Sequence, residues 1–193
     1  MASDDSFARF VSLACHDLRT PLATVSGFAH TLARMDEIHE PAQRYVEMIQ
    51  AASEQIAELL GELGLAARIE AGRYQPALVE ADTLALARAA AGHLGEKGAA
   101  SGSGGAVRVD REAVENALAA FARCALRHGG VEWVELVAEG PTVAIAPVNA
   151  EAAPVVLAEE LKDLGAAAAR RLVEALGGSL ALEGETLRVR LPE

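Results

Sequence analysis

Apolar residues recur in alternating steps of four and three along the first part of the chain, at Phe7, Val11, Ala14, Leu18, Pro21, Val25, Phe28, Leu32 and Met35. This spacing is a heptad seam and predicts one long helix. A polar break from Asp36 to Glu40 follows, and Pro41 suits a first helical turn, where its missing amide hydrogen has no partner to lose. A second seam, Tyr45, Ile49, Ala52, Ile56, Leu59, Leu63 and Ala66, steps the same way, and Gly72 marks its stop. Two long helices with a short connection form an antiparallel hairpin. Leu22, Ala29, Leu60 and Leu65 lie beside the seams, so one hairpin carries more apolar surface than it can bury alone. Pairing two hairpins into a dimeric four-helix bundle would cover it, and a homodimer is expected.

The pattern becomes mixed after a linker over residues 73–77, which separates a hairpin domain at 1–72 from a second domain at 78–193. Asp82 to Leu94 and Asp110 to Arg127 read as helices. Val131 to Val137, Thr142 to Ala146, Leu180 to Leu182 and Leu187 to Leu191 read as short strands. A weak helix near Val155 to Lys162 precedes a stronger one at Leu164 to Leu176, ended by Gly177 and Gly178. Gly95 to Gly105 is rich in glycine and serine and reads as a flexible loop. The expected architecture is a small α+β sandwich.

Composition narrows the function. The 193 residues are 51% hydrophobic, enough for a packed core, and no apolar run is long enough to span a bilayer. The acidic start MASDDSFARF lacks a signal-peptide pattern, so a cytoplasmic location is expected. A formal charge of −11 opposes nucleic acid or an anionic membrane surface as the main partner. Cys15 and Cys124 match no zinc or redox spacing, the histidines form no ligand cluster along the chain, and no metal site is expected.

The chemistry concentrates at His16, Asp17, Leu18, Arg19, Thr20, Pro21 and Leu22. With Val11, Leu18, Val25 and Leu32 as one core position, His16 falls on the outward face. Arg19 and Thr20, three and four residues on, are its neighbours on the helix surface. Pro21 cannot donate to the carbonyl of Asp17 and should bend the helix beside the histidine. A lone exposed histidine is ordinarily solvated surface; a nucleophile, a carboxylate, a hydroxyl and a proline within seven residues are not an ordinary helix face.

HDLRTPL, within FVSLACHDLRTPLATVSGFAHTL, resembles the phosphoacceptor box of two-component sensor histidine kinases, and RYVEMIQAASEQIAELLGELGLAARIEAG resembles the second helix of their dimerisation domain. The resemblance implies that His16 carries a phosphoryl group, that Asp17 holds the ring or accepts a proton, and that Thr20 orients water against a phosphorylated receiver. It also implies that Arg19 neutralises phosphate charge, a reading no stronger than that of a solvated arginine.

VRVDREAVENALAAFARCALRH and AARRLVEALGGSLALEGETLRVRLP resemble the start and end of the same family's ATP-binding domain. Between these ends the chemistry departs from it. The two asparagines of an intact site fall at Ala120 and Cys124, and methyl and thiol groups are poor partners for Mg²⁺. The adenine-reading aspartate falls at Asn149, and the two following glycines at Glu151 and Ala153. In the later glycine turn only Gly165 survives, and Asp163 places negative charge where phosphates are expected. Pro154 to Lys162 is too short for a lid, and Asn116 remains a possible metal partner only in a shifted register. These departures favour a dimeric histidine phosphotransferase that accepts and donates a phosphoryl group between response-regulator receiver domains through His16. It would use no cofactor of its own, the receiver's acidic pocket bringing the Mg²⁺. The alternatives are an atypical sensor kinase still able to use ATP, a response-regulator phosphatase using Thr20, and a non-catalytic dimeric scaffold.

Overall fold

The computed structural model describes residues 2–34 and 42–193, and divides into two compact units, 1–73 and 74–193. The side chains of residues 2–10, 12–14, 17 and 21 lie outside the described set. So does the break expected at Asp36 to Glu40, together with Met35 and Pro41.

The first unit is a helical hairpin of α1 (Ala2–Ala33) and α2 (Ala42–Glu70). α1 continues through Pro21 as a single helix. Gly72, at φ +61°, follows the end of α2 in the left-handed conformation that stops a helix.

The face that joins the two helices is not the pair of seams. Mostly small residues are buried there: Cys15 and Ala29 on α1, and Ser53, Gly64 and Ala67 on α2, together with the larger Val46 and Leu60. A methyl group placed on Gly64 would lie 3.8 Å from the Cys15 Cβ, a measure of how near the two helices come. The Ser53 hydroxyl donates to the Ile49 carbonyl at 2.7 Å, so a polar group sits in this face without an unmet bond. The seam residues Leu18, Val25, Phe28 and Leu32 on α1, and Tyr45, Ile49, Ile56, Leu59 and Leu63 on α2, are exposed in the protomer. Short side chains let two helices approach closely, and the larger apolar residues are left on the neighbouring stripe.

The second unit is an α/β layer. A five-stranded sheet has the order β2 (Gly98–Gly104), β4 (Val134–Gly140), β5 (Thr142–Ala146), β7 (Thr186–Arg190), β6 (Ser179–Glu183), with β2 and β4 parallel and the other neighbours antiparallel. β1 (Leu78–Asp82) and β3 (Ala106–Asp110) form a separate antiparallel pair. α3 (Thr83–Gly92), α4 (Arg111–Gly129) and α6 (Leu164–Ala175) pack in sequence, α3 lying on β2 and β4 and against α4, and α4 against α6. Leu86, Val114, Leu118, Phe121, Leu136, Ile145, Leu172 and Val189 are fully or almost fully buried between these elements. No helix among the described residues is long and apolar enough to cross a membrane.

Two expectations need correction here. Gly95 to Gly105 is not a flexible loop: after one 3₁₀ turn at Gly95–Lys97 it is strand β2, paired with β4 over its whole length. Its backbone hydrogen bonds, rather than an apolar alternation, hold it there. Gly102 has φ +98°, and a Cβ there would lie 2.2 Å from the Ala138 carbonyl oxygen, so glycine is required by the pairing itself. The helix expected at Val155 to Lys162 is one turn, α5 (Ala153–Val156), and the rest is a compact loop tied by Arg170 Nη1 donating to the Leu157 carbonyl.

Candidate functional site

His16, Arg19 and Thr20 all lie on α1 and are exposed. The Thr24 hydroxyl donates to the Thr20 carbonyl at 3.1 Å, leaving the Thr20 hydroxyl outside that bond. Arg19 turns toward α2: a Cβ on Gly64 would lie 3.8 Å from its Nη2 and 3.6 Å from Nη1 of Arg68. Both guanidinium groups thus come near Gly64, on the hairpin close to the turn that carries His16. The Asp17 side chain lies outside the described residues, and only its helical backbone next to His16 is placed. The arrangement is a solvent-facing imidazole on a rigid helix with cationic charge one turn away. The exposure of His16 lets a large partner approach its ring.

In the second unit, the residues at the positions where nucleotide chemistry is expected make contacts within the fold. Asp110 caps α4, one carboxylate oxygen accepting from the Ala113 amide at 3.4 Å and the other from the Tyr74 hydroxyl at 3.0 Å. Ala120 and Cys124 are buried on α4, and Asn116 is exposed. Asn149 is pinned at both ends of its amide: Nδ2 donates to the Gly129 carbonyl at 2.8 Å, and Oδ1 accepts from the Ala152 amide at 3.1 Å. Asp163, also buried, caps α6 through Oδ1, which accepts from the Ala166 amide at 3.0 Å. Its Oδ2 accepts from Arg127 Nη1 at 2.9 Å and lies 3.4 Å from His128 Nε2.

One grouping in this region had no signal as a local spacing. Cys124 and His128 stand four apart on α4, and Asp163 reaches them from the start of α6, their ligand-type atoms all within 4.8 Å of one another. Burial, and then the charge of Asp163, push the Cys124 thiol up to about 12, against a smaller opposite pull from Arg127.

These side chains are a poor donor set for a nucleotide with Mg²⁺. A methyl group, a neutral thiol and an amide already holding two backbone groups replace hard oxygen ligands. A carboxylate occupies the helix N-terminus that would otherwise receive phosphate.

Residues 8–72 match the model of the His Kinase A (phospho-acceptor) domain. This stretch, which holds HDLRTPL, is therefore similar to the phospho-acceptor domain of histidine kinases. The chain is 33% identical over 72 residues to the probable sensor histidine kinase TcrY of Mycobacterium tuberculosis, a match covering 37% of this chain and 15% of that protein. It spans less than a third of the length of the curated relatives it matches. Among solved structures, full-length ShkA, crystallised in complex with AMPPNP, aligns with a TM-score of 0.65 at 22% identity, over 94% of this chain and 44% of ShkA. The histidine kinase AdeS of Acinetobacter baumannii aligns with a TM-score of 0.60 at 17% identity, over 92% of this chain and 98% of AdeS. The fold is that of a histidine kinase: a helical hairpin followed by an α/β domain of the kinase ATPase type.

Proposed function

We propose that the chain is a phosphorelay histidine phosphotransferase, which takes a phosphoryl group from one response-regulator receiver domain and passes it to another through His16. The observation that carries this reading is the contrast between the two units. The same chain carries an exposed histidine in an HDLRTPL helix and a domain of kinase-type fold whose expected nucleotide positions are filled by Ala120, Cys124, Asn149 and Asp163, all buried or held in hydrogen bonds that support the fold.

The transfer is a displacement at phosphorus. An imidazole nitrogen of His16 attacks the phosphoryl group of a receiver's aspartyl phosphate in line, the phosphorus–oxygen bond to the aspartate breaks, and the carboxylate leaves with the electron pair. Asp17 would hold the ring or take its proton, and Arg19 would offset phosphate charge. The reverse displacement by a second receiver's aspartate empties the histidine. Such transfer depends mainly on positioning and charge neutralisation, so the Mg²⁺ of the receiver's acidic pocket is the metal it requires. The exposed seams favour a homodimer in the cytoplasm, in which two hairpins cover Val25, Leu32, Ile49 and Ile56 in a four-helix bundle.

The test is an incubation of purified chain with a phosphorylated receiver in one arm and labelled ATP with Mg²⁺ in the other. Label from the receiver, absent in His16→Ala, with none from ATP, is the expected result. Label from ATP on His16 would make the protein a kinase. Equal label on wild type and His16→Ala would remove His16 from the mechanism. Faster hydrolysis of the receiver phosphate that persists in His16→Ala and is lost in Thr20→Ala would make it a phosphatase.

A further inference from the structure

We propose that Cys124, His128 and Asp163 form a binding site for a divalent transition metal of the Zn²⁺ class, which clamps the end of α4 to the start of α6. The inference stands apart from the phosphotransfer chemistry of His16, Asp17, Arg19 and Thr20, although Cys124 and Asp163 are also two of the positions where nucleotide chemistry is expected.

Three observations support it. The first is placement: Cys124 and His128 are one turn apart on the same side of α4, Asp163 is held opposite them by its cap on α6, and Sγ, the ring nitrogen and a carboxylate oxygen lie within 4.8 Å of one another. Donors bound to one zinc ion at bond lengths of about 2.0–2.3 Å stand somewhat closer than this, so small side-chain rotations would complete the site without moving a helix. The second is an unmet bond. Among the described residues, the His128 Nε2 atom is buried and has no hydrogen-bond partner, lying 3.4 Å from Asp163 Oδ2. Buried polar atoms rarely go unpaired, and a cation between these two atoms would engage both.

The third observation is the donor chemistry. Thiolate, imidazole and carboxylate together select zinc-like ions over Mg²⁺ or Ca²⁺. Thiolate and carboxylate also cancel the charge of a divalent ion, which lets it sit in a buried place. As the sulfur–metal bond forms, the Cys124 thiol proton passes to water. His128 binds through the lone pair of Nε2 as a neutral ring. Asp163 keeps Oδ1 on the α6 cap and turns Oδ2 from Arg127 to the metal. Arg127, with a side chain 61% exposed, can turn its guanidinium to water. Three protein ligands leave a fourth position for water.

Cobalt(II) is the probe, added to the full chain after treatment with a chelator. One equivalent should produce a thiolate-to-cobalt charge-transfer band with the intense visible bands of a four-coordinate ion, and one equivalent of Zn²⁺ should abolish both. Cys124→Ala should lose the charge-transfer band, and His128→Gln, which keeps the thiol, should weaken Zn²⁺ binding by more than an order of magnitude. Circular dichroism checks the fold of each variant. Cys15→Ala and His16→Ala should retain the full spectrum, which separates this site from the phosphoacceptor helix. Absence of the charge-transfer band in wild type, its loss in Cys15→Ala, or unchanged Zn²⁺ affinity in a folded His128→Gln would each overturn the site.

Discussion

Replacing Asp163 by alanine tests whether this position has become part of the framework of the second unit. Asp163 holds two interactions of different worth. The cap on the Ala166 amide, made by a buried carboxylate, stabilises α6 by about 1 kcal/mol, within the range of about 0.5–2 found for such caps. The pair with Arg127, 2.9 Å long but made to a side chain 61% exposed, adds at most about 1 kcal/mol after solvent screening. Asp163→Ala should therefore lower stability by about 1–3 kcal/mol, a shift of about 1 M in the urea midpoint for a unit of this size. Asp163→Asn keeps an oxygen that can cap and should fall short of wild type only by the smaller ion-pair part. The single tryptophan, Trp133, belongs to the second unit and reports its unfolding by fluorescence. Measurements in chelator remove any contribution from bound metal. An Asp163→Ala midpoint equal to wild type would refute the cap, and an asparagine variant as unstable as the alanine one would assign the effect to charge alone.

Three further outcomes follow from the same structure. Val25→Glu, at a side chain about half exposed in the protomer, should leave helicity unchanged and convert the proposed dimer to monomer in sedimentation velocity; a dimer of unchanged affinity would place the interface elsewhere. Asn149→Ala removes the partners of the Gly129 carbonyl and Ala152 amide and should destabilise the second unit by about 1–3 kcal/mol, as read by Trp133, without slowing transfer from a receiver to His16. Cys124 supplies a pH dependence: its thiol is held at about 12 in the fold against 9.0 ordinarily, so the unfolded chain loses this proton first as pH rises. The stability of the neutral buried thiol is therefore intact below pH 9 and declines from there toward 12. In chelator, the stability of wild type should fall more steeply with pH across that window than that of Cys124→Ala, by up to about 1.4 kcal/mol per pH unit.

The helices were legible because apolar periodicity reports directly on burial, but their pairing was not. A helix with two adjoining apolar stripes does not state which one meets its own hairpin partner. Cys15, Ala29, Ser53 and Gly64 could be recognised only afterwards as the closer-packed choice, since each is unremarkable alone. Strand β2 was missed for the opposite reason: GAASGSG carries almost no side-chain pattern, and its register comes from β4 beside it. β1 and β3 were hidden too, being two short segments whose paired residues lie far apart in sequence, from Asp82 with Ala106 to Leu78 with Asp110, with α3 and β2 between them. The four positions compared with the family's pattern did not foretell their contacts, which depend on neighbours as distant in sequence as Arg127 from Asp163.

These contacts bear on how the two units came to differ in chemistry. A nucleotide site needs its helix N-terminus open and its polar groups unsatisfied by protein, so that phosphate and metal can satisfy them. Here Asp163 closes the start of α6, and Asn149 joins the end of α4 to α5, each with two contacts of its own. Each bond satisfies a polar group within the fold, so on the function proposed above the same residues that disfavour ATP support the fold. Restoring asparagine at Ala120 and Cys124 alone should then fail to recover nucleotide binding, because the Asn149 amide and the Asp163 carboxylate would still be engaged. Equilibrium binding of a fluorescent nucleotide to the Ala120→Asn, Cys124→Asn double variant measures this directly. Tight, Mg²⁺-dependent binding by that variant would show that the loss lay in the metal ligands only, and that the caps at Asn149 and Asp163 do not obstruct the site.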